Sequence, residues 1–497
     1  MPEPKPAAAP AVAAEEAPAQ APASLLDQIV QEGRIGQSDE ERALGKAWVK
    51  DFVGEIMKGT IKVSPDTDKM LNDRIADLDE LISVQLNEVM HSPEFQRIES
   101  AWRGLAYLVN QTETSDKLKI RVMNISKDEL LKDLTKAKDF DQSNIFKKIY
   151  EEEFGHPGGQ PYGVLIGDYE FGRHNQDVTL VQEMSKIAAN AHAPFIASAS
   201  PAMFNWNDFT ELAGVPDIEK VFDNELYLKW KMFRESEDSK YVGLCLPRVL
   251  ARLPYGKDTV PVEEFAYEEK VSGKDHSKYL WTNAAYAFGA RLTDAFAKHE
   301  WCAAIRGYEG CGLVEGLPTH QFQTDDGDIA TKCPSEIGIT DRREKEFSKA
   351  GFVPLCYYKN TDRAVFFAAQ SANKAKEYLD AAATANAKLS AQLQYTMAVC
   401  RFAHFLKVMM RDKIGSFMER SQCEEFLNKW ISNYVLLDDS AIQEVKAKFP
   451  LRDAKVTVTD DPASPGVYRA VVHLRPHFQL EELQVSLRLV AKLPAAK

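Results

Sequence analysis

Residues 161–204, PYGVLIGDYEFGRHNQDVTLVQEMSKIAANAHAPFIASASPAMF, decide the fold of this chain. Tyr162 to Gly167 is a short apolar run between glycines and predicts a strand buried on both faces. Apolar residues recur at helical spacing from Asp177 to Asn190, where Asp177 can cap the first turn. Pro194 to Ala199 predicts a second buried strand. Strand, helix and strand in this order form a βαβ unit, which requires a parallel sheet covered by helices.

The loop between the first strand and the helix, Asp168 to Asn175, lies beyond the carboxyl end of a parallel strand. Folds of this class usually place their ligands there. Gly172, Arg173, His174 and Asn175 could hold a phosphate or a catalytic histidine. A solvated or interface loop is the favoured interpretation, because the sequence places no base or nucleophile beside His174.

Composition excludes several classes of protein. The 497 residues carry a net charge of −13, which argues against nucleic acid as the main partner. No apolar run approaches the roughly 18 residues of a membrane helix, and the N-terminus lacks the pattern of a secretory signal. Seven cysteines at irregular spacing are typical of reduced thiols in the cytosol.

Linear motifs for cofactors are missing from the sequence. It contains no GxxxxGK[ST], GxGxxG, GxSxG, HExxH or CxxC pattern. The acidic run from Asp325 to Asp328 lacks the spacing of a calcium loop and favours a plain turn. We therefore predict no cofactor, no metal site and no catalytic residue.

The N-terminus combines a tail with a short helix. Residues 1–23 are rich in Ala and Pro and predict a disordered tail. Leu25, Leu26, Ile29 and Val30 then form one helical stripe after Ser24. So short a helix needs a partner, which is either its own domain or another protein.

Residues 42–110 predict a nearly continuous helical region. A stripe at three- and four-residue spacing runs through Leu71, Ile75, Leu78, Ile82, Leu86 and Val89. A second helix begins at Ser92-Pro93 and aligns Phe95, Ile98, Trp102, Leu105 and Val109 on one face. A structural helix bundle is the favoured interpretation of both stripes.

The remaining chain predicts a mixed α/β (α+β) fold in which helices flank a sheet core and a β-strand arm ends the chain. The predicted strands are Leu118–Ile125, Tyr241–Leu246, Ala364–Ala369, Lys455–Thr459, Val467–Leu474 and Leu483–Val490. The predicted helices are Asp128–Glu153, Trp281–His299, Lys374–Arg411 and Cys423–Val435. We expect an N-terminal helical region at 24–112, a core at 113–420 and a C-terminal arm at 421–497.

Three long segments carry a resemblance to a known family. Ser92 to Val109, Gly167 to Phe204 and Leu474 to Pro494 resemble the large sheath subunit of the bacterial type VI secretion system, the TssC or VipB family. The resemblance runs from about Ser24 to the end of the chain. It implies a fold like that of phage tail sheaths and a structural protein rather than an enzyme.

The resemblance also implies partners and a location. Family members pair with a small subunit, TssB or VipA, and self-assemble as a helical polymer around a tube of Hcp. The extended sheath forms in the cytoplasm on a membrane-anchored baseplate and contracts to drive the tube, spike and effectors into a target cell. The AAA+ ATPase ClpV then dismantles it. No nucleic acid and no direct membrane insertion are expected.

Specific residues follow from the same resemblance. The stripe Leu25, Leu26, Ile29 and Val30 matches the helix that ClpV recognises. The helix at Cys423 to Val435 resembles the tube-attachment helix, with Glu424, Glu425 and Lys429 on its charged side. Strand exchange between subunits is assigned to a hairpin of the last two strands, through Val467, Val471, His473, Val485, Leu487 and Leu489.

Two other classes of function stay open from sequence. One is a cytosolic α/β enzyme with a site at the Gly172–Asn175 loop, and the other is a scaffold that binds without forming a polymer.

Overall fold

The computed structural model describes residues 28–29, 32–33, 38–58, 67–263, 265–273, 275–324, 326–438, 440–460 and 468–480. Contacts divide the chain into two compact units. The first holds the described residues up to Gln85 together with Glu263–Tyr267, and the second holds the described residues of Leu86–Val262 and Glu268–Lys497.

The helices of the described ranges are α1 (Asp39–Met57), α2 (Thr67–Met90), α3 (Pro93–Asn110), α4 (Lys127–Lys136), α5 (Asn175–Ala191), α6 (Leu228–Arg234), α7 (Ala284–His299), α8 (Asp341–Lys349), α9 (Ala381–Ser390), α10 (Leu393–Asp412), α11 (Arg420–Ile431) and α12 (Gln443–Lys448). The strands are β1 (Leu165–Phe171), β2 (Phe195–Ala199), β3 (Val242–Leu246), β4 (Val249–Leu250), β5 (Trp281–Thr282), β6 (Leu313–Val314), β7 (Gln321–Gln323), β8 (Ile329–Thr331), β9 (Val353–Tyr357), β10 (Ala364–Phe366), β11 (Leu451–Asp460) and β12 (Tyr468–Pro476).

A six-stranded mixed sheet is the centre of the second unit, with strand order β1-β2-β3-β9-β10-β6. The first four strands are parallel, and β10 and β6 complete the sheet in antiparallel pairs. The parallel βαβ unit predicted from residues 161–204 is therefore confirmed. Its helix α5 and the helix α7 bury separate apolar clusters, which contain Val181 and Ile187 in one case and Phe288 and Leu292 in the other.

The first strand begins three residues later and ends four residues later than predicted, and it lies at the edge of the sheet. It spans Leu165–Phe171 and is only partly buried, so the expectation of burial on both faces was wrong. Gly167 explains part of the shift, because a Cβ there would lie 2.7 Å from the ring of Phe195 on the neighbouring strand. A strand can therefore continue through Gly167, where the apolar pattern had suggested an end.

The predicted cap of α5 was also wrong. The N-cap residue is His174, which makes no side-chain cap. Asp177 instead accepts a hydrogen bond from the Gly172 amide at 2.7 Å. It also forms an ion pair with Lys127 at 2.7 Å. Its carboxylate closes the short loop and joins it to α4.

The strand predicted at Leu118–Ile125 does not form in the described chain. The segment is held by side-chain bonds, among them one from the Tyr169 hydroxyl to the Ile125 carbonyl at 2.8 Å. Val122 is 67% exposed. Alternating residues indicate an extended backbone, but a strand also requires a neighbouring strand.

Two long predicted helices are interrupted. Asp128–Glu153 becomes α4 followed by short helical segments, with a π-helix at Lys147–Gly155. Lys374–Arg411 becomes α9 and α10, which are separated at Ala391 and Gln392. There the Ala391 carbonyl accepts from Ser371 and the Leu393 amide donates to Ala369, so tertiary bonds replace the helical ones.

The last part of the described chain forms a small separate core. The helix α11 packs on an antiparallel hairpin of β11 and β12. Leu427, Ile431, Val456 and Val458 are buried in this core together with Trp301. The strand predicted at Lys455–Thr459 is confirmed and is longer, whereas the one predicted at Leu483–Val490 lies outside the described residues.

Candidate interaction surfaces

One face of α3 is apolar and exposed. Trp102 is 69% exposed and Ile98 is 55% exposed, and Phe95 and Val109 lie beside them. The opposite face packs on α7, where a Cβ at Gly104 would lie 2.3 Å from the ring of Tyr286. Four of the five residues of the stripe assigned to an intrachain bundle therefore face away from the core of their own unit, whereas Leu105 is half-buried and packs on Tyr286. Exposed apolar patches on a folded protein commonly mark binding sites.

A buried ionic network fixes α3. One Glu99 oxygen accepts from Arg103 and from Arg252, each at 2.7 Å. Arg252 also donates to Glu269 at 2.6 Å, and His91 lies 3.2 Å from the same carboxylate. Burial raises the pKa of Glu99, but the hydrogen bonds from Arg252 and Arg103 outweigh it and hold this pKa below its usual value. Side chains from distant parts of the chain thus set the orientation of the exposed stripe.

The stripe of α2 is exposed as well. Four residues of α2 that belong to the first unit are exposed, namely Leu71, Ile75, Leu78 and Ile82. Val89, near the end of the same helix, is also exposed. The spacing predicted from sequence is confirmed as one helix. Leu86, the remaining residue of the predicted stripe, is half-buried.

The helix α11 shows which charged residues can reach a partner. Leu427 and Ile431 are buried and Phe426 and Trp430 are partly buried, as predicted for its apolar side. Glu425 and Lys429 are exposed. Glu424 differs from the expectation, because its carboxylate is half-buried and accepts from the Val458 amide at 2.9 Å. Glu424 therefore belongs to the contact between α11 and its own hairpin.

The two outer edges of the hairpin differ. Side chains of α11 cover the β11 edge, since Asn428 bonds both the amide and the carbonyl of Val456 at 2.8 Å. The amide and carbonyl of Val456 therefore point away from β12. Val472 is the register partner of Val456, so the amide and carbonyl of Val472 point away from β11. By the same alternation Ala470 and Leu474 present outward amides and carbonyls. No backbone bond to these groups is found within the described ranges.

The strand-exchange residues lie on the solvent side of this hairpin where they are described. Val471 and His473 are exposed, whereas Tyr468, Val472 and Leu474 pack on the small core. The face expected to be apolar is therefore the outer one, and the apolar contacts come from the alternate residues. Val467, Val485, Leu487 and Leu489 lie outside the described residues.

At the N-terminus only Ile29 of the four stripe residues is described. It is 41% exposed, and its carbonyl accepts from the Gly33 amide at 2.9 Å in a helical turn. Leu25, Leu26 and Val30 lie outside the described residues.

The Gly172–Asn175 loop contains no assembled reaction centre. His174 is exposed, and no hydrogen bond to its ring is found in the part of the chain that the structure describes. No group of His, Cys, Asp or Glu side chains in that part could hold a metal ion. Among the described helices none has the length and apolar character needed to cross a bilayer.

Sequence reasoning missed the residues that position these surfaces. Arg252, Glu269 and Asn428 carry no local motif, and each acts on a segment far away in sequence. Glu99 and Arg103 do carry a local signal, because their i,i+4 spacing places them side by side on one helix.

Comparisons with known proteins agree on a class, the contractile tail sheaths. Residues 72–373 match VipB, described as the EvpB/VC_A0108 tail sheath N-terminal domain, and residues 382–493 match VipB_2, the tail sheath gpW/gp25-like domain. The chain is 51% identical over 464 residues to the type VI secretion system sheath protein TssC1 of Pseudomonas aeruginosa, which covers 93% of both chains.

Two solved structures are similar to this chain at low identity. The baseplate of the anti-feeding prophage gives a TM-score of 0.34 at 8% identity, covering 64% of this chain and 66% of the other. The contracted sheath complex of the extracellular injection system PVC gives 0.33 at 8% identity, covering 62% and 68%.

The chain belongs to the VipB/TssC family of contractile tail sheath proteins of type VI secretion systems. It is a structural subunit, not an enzyme, and it assembles helically with a partner sheath subunit. The enzyme alternative at Gly172–Asn175 is thereby set aside.

Proposed function

We propose that this chain is the large sheath subunit that folds with a small subunit, surrounds the secretion tube in the cytoplasm and contracts from a baseplate. The observation that carries the pairing is the exposed apolar face of α3. Trp102 and Ile98 are exposed on α3. The opposite side of α3 is fixed by the close approach of Gly104 to Tyr286 and by the ion pair between Glu99 and Arg252. Obligate interfaces are large and apolar, and such a face fits one.

Co-expression with the small subunit tests this pairing. Ile98→Asp with Trp102→Asp should abolish co-purification and tubes in negative-stain microscopy, because two charges would be buried without partners. Met232→Asp on α6 is the matched control, since Met232 is 65% exposed. Co-purification of the double variant at the wild-type level would contradict the assignment of this face.

The tube contact is proposed for the outer side of α11. Glu425 and Lys429 are exposed there, while the apolar side is buried in the small core. Exposed ion pairs are worth roughly 0–1 kcal/mol each. Contacts of this strength can hold a tube of Hcp collectively and release it on contraction.

Disassembly is proposed to begin at the N-terminal stripe of Leu25, Leu26, Ile29 and Val30, bound by an AAA+ ATPase of the ClpV type. The exposure of Ile29 supports a helix that another protein can reach. Residues 1–23 would precede it as a tether.

Lateral connection is proposed to use strand exchange at the hairpin. The outward amides and carbonyls of β12 offer an edge for a strand from a neighbouring subunit. The segment with Val485, Leu487 and Leu489 would reach a neighbour in return.

A further inference from the structure

The exposed face of the hairpin is basic although the whole chain is acidic. Lys455, Arg469 and Arg475 lie on this face with His473, and Asp453 is the carboxylate among them. Lys455 stands opposite His473 in the register, and Asp453 stands opposite Arg475. The chain as a whole has a net charge of −13. A local excess of cations on such a chain indicates a partner of opposite charge.

The cations have no ionic partner in the described ranges, where no ion pair to Lys455, Arg469 or Arg475 is found. The guanidinium of Arg475 lies 5.8 Å from the centre of the Phe478 ring. Across the strands Lys455 faces His473 and Arg469 faces Thr459, so these two cations meet no carboxylate, whereas Arg475 stands opposite Asp453. An acidic neighbour on this face would supply the missing carboxylates.

Arg469 and Arg475 lie on β12, the strand that also provides the open edge, whereas Lys455 lies on β11. Arg469, Val471, His473 and Arg475 alternate along β12 with Ala470, Val472 and Leu474, whose backbone groups point outward. A strand added at that edge would set alternate side chains beside Arg469, His473 and Arg475. Its other side chains would continue the apolar face of Tyr468, Val472 and Leu474.

We propose that the β12 edge selects an extended segment of another sheath chain with acidic residues at alternate positions and apolar residues between them. This inference rests on the proposed strand exchange and adds the chemistry of the incoming strand. Main-chain hydrogen bonds provide affinity in strand addition, and alternate side chains provide specificity.

The chain's own last segment fits this edge less well. In residues 481–490, EELQVSLRLV, the polar phase holds Glu482, Gln484, Ser486 and Arg488, so its charges cancel. The chain before it is also anchored on the sheet domain. Gln479 bonds Arg306 at 2.8 Å and the Ala303 carbonyl at 2.9 Å, and its amide donates to the Tyr395 hydroxyl at 3.2 Å.

Labelled peptides test the selection on the full chain purified with its sheath partner before polymerisation. One peptide alternates Glu with Val and the other alternates Lys with Val, both matched to the nine residues of β12. The acidic peptide should bind about ten-fold or more tightly than the basic one, and the difference should shrink at high salt. Arg469→Glu with Arg475→Glu should reverse the preference, and Lys359→Glu, an exposed turn residue, should leave it unchanged.

Substitutions at Ala470 separate this inference from strand exchange itself. Ala470→Pro removes an outward amide and should abolish binding of both peptides, whereas Ala470→Thr retains the amide and should keep both. Equal binding of the two peptides to the wild type would overturn the charge selection and leave strand exchange intact. Undiminished binding to Ala470→Pro would overturn strand exchange. If neither peptide binds until the chain is ended at Leu480, the edge belongs to residues 481–497 and the inference is wrong.

Discussion

Single buried residues set the geometry of surfaces that lie elsewhere. Arg252 bridges Glu99 on α3 and Glu269 in the loop between β4 and β5. All three side chains are nearly inaccessible to solvent. A buried pair of this kind is costly to break, because the remaining charge keeps its desolvation cost without a partner.

We expect Arg252→Ala to lower the free energy of unfolding by about 3–5 kcal/mol, since it removes the cation shared by two largely buried carboxylates and leaves Glu99 with Arg103 alone and Glu269 without its guanidinium. Lys117→Ala is the control, because the Lys117–Glu300 pair is exposed and should contribute only about 0–1 kcal/mol. Denaturant titration measures both changes. Equal effects of the two substitutions would show that the network does not hold the helix.

The same network predicts a pH dependence. The pKa of Glu99 is lowered in the folded chain, so its contribution is present above the unfolded pKa of about 4.5. It is lost as the pH falls through the folded pKa. The stability difference between the wild type and Glu99→Gln should therefore be constant near neutrality and shrink as the pH falls below about 4.5. If the stability difference between the wild type and Glu99→Gln instead grew as the pH fell, the predicted direction of the pH dependence would be wrong.

Recognition by the disassembly ATPase is also a prediction about single side chains. Leu26→Asp with Ile29→Asp should leave sheath assembly and contraction intact and abolish ATPase binding, because the charges remove the apolar stripe. Gln28→Asp, at an exposed neighbouring position, is the control. Binding assays on assembled sheaths measure the effect, and wild-type affinity of the double variant would place the recognition site elsewhere.

At the scale of elements, α11 has two charged positions with different roles. Glu424 holds the β11 edge through the Val458 amide, while Glu425 next to it is exposed. The chain therefore offers a matched pair of substitutions at adjacent residues.

Glu425→Lys should impair assembly on Hcp tubes while the melting temperature of the heterodimer stays unchanged. Glu424→Lys should instead destabilise the hairpin by about 1–3 kcal/mol, because a buried donor loses its acceptor. Microscopy of tubes and thermal unfolding of the heterodimer measure the two effects. Normal assembly of the Glu425→Lys variant would place the tube contact away from this face.

At the scale of the whole molecule, the C-terminal arm is the part of the chain for which we propose a role in joining neighbouring subunits. The structure pairs β12 with β11 and packs it on the small core, so removal from Val467 onward would also damage the fold. A cleaner deletion begins after Leu480, where the described chain is still anchored by Arg306.

The chain ended at Leu480 should form a stable heterodimer with the small subunit but no long sheaths. The physical reason is that the segment proposed for exchange is lost while the hairpin and its buried contacts remain. Sedimentation and negative-stain microscopy after co-expression measure the result. Long sheaths from the shortened chain would rule out a role of residues 481–497 in lateral connection.

The sequence by itself determined the elements whose pattern is local. The βαβ unit, the strand at Val242–Leu246 and the apolar stripes of α2 and α3 follow from periodicity, and the three long segments revealed the family. Hydrophobic spacing reports which side of an element is apolar, because that spacing is fixed by the geometry of the helix or strand itself.

Only the tertiary structure decided what those apolar sides face and which edges are covered. The stripe of α3 points outward because Gly104 admits Tyr286 on the opposite side, and the β11 edge is closed because Asn428 and Glu424 reach it from α11. Leu118–Ile125 fails as a strand because pairing depends on a neighbour. These outcomes depend on contacts between residues distant in sequence, and no local pattern encodes them.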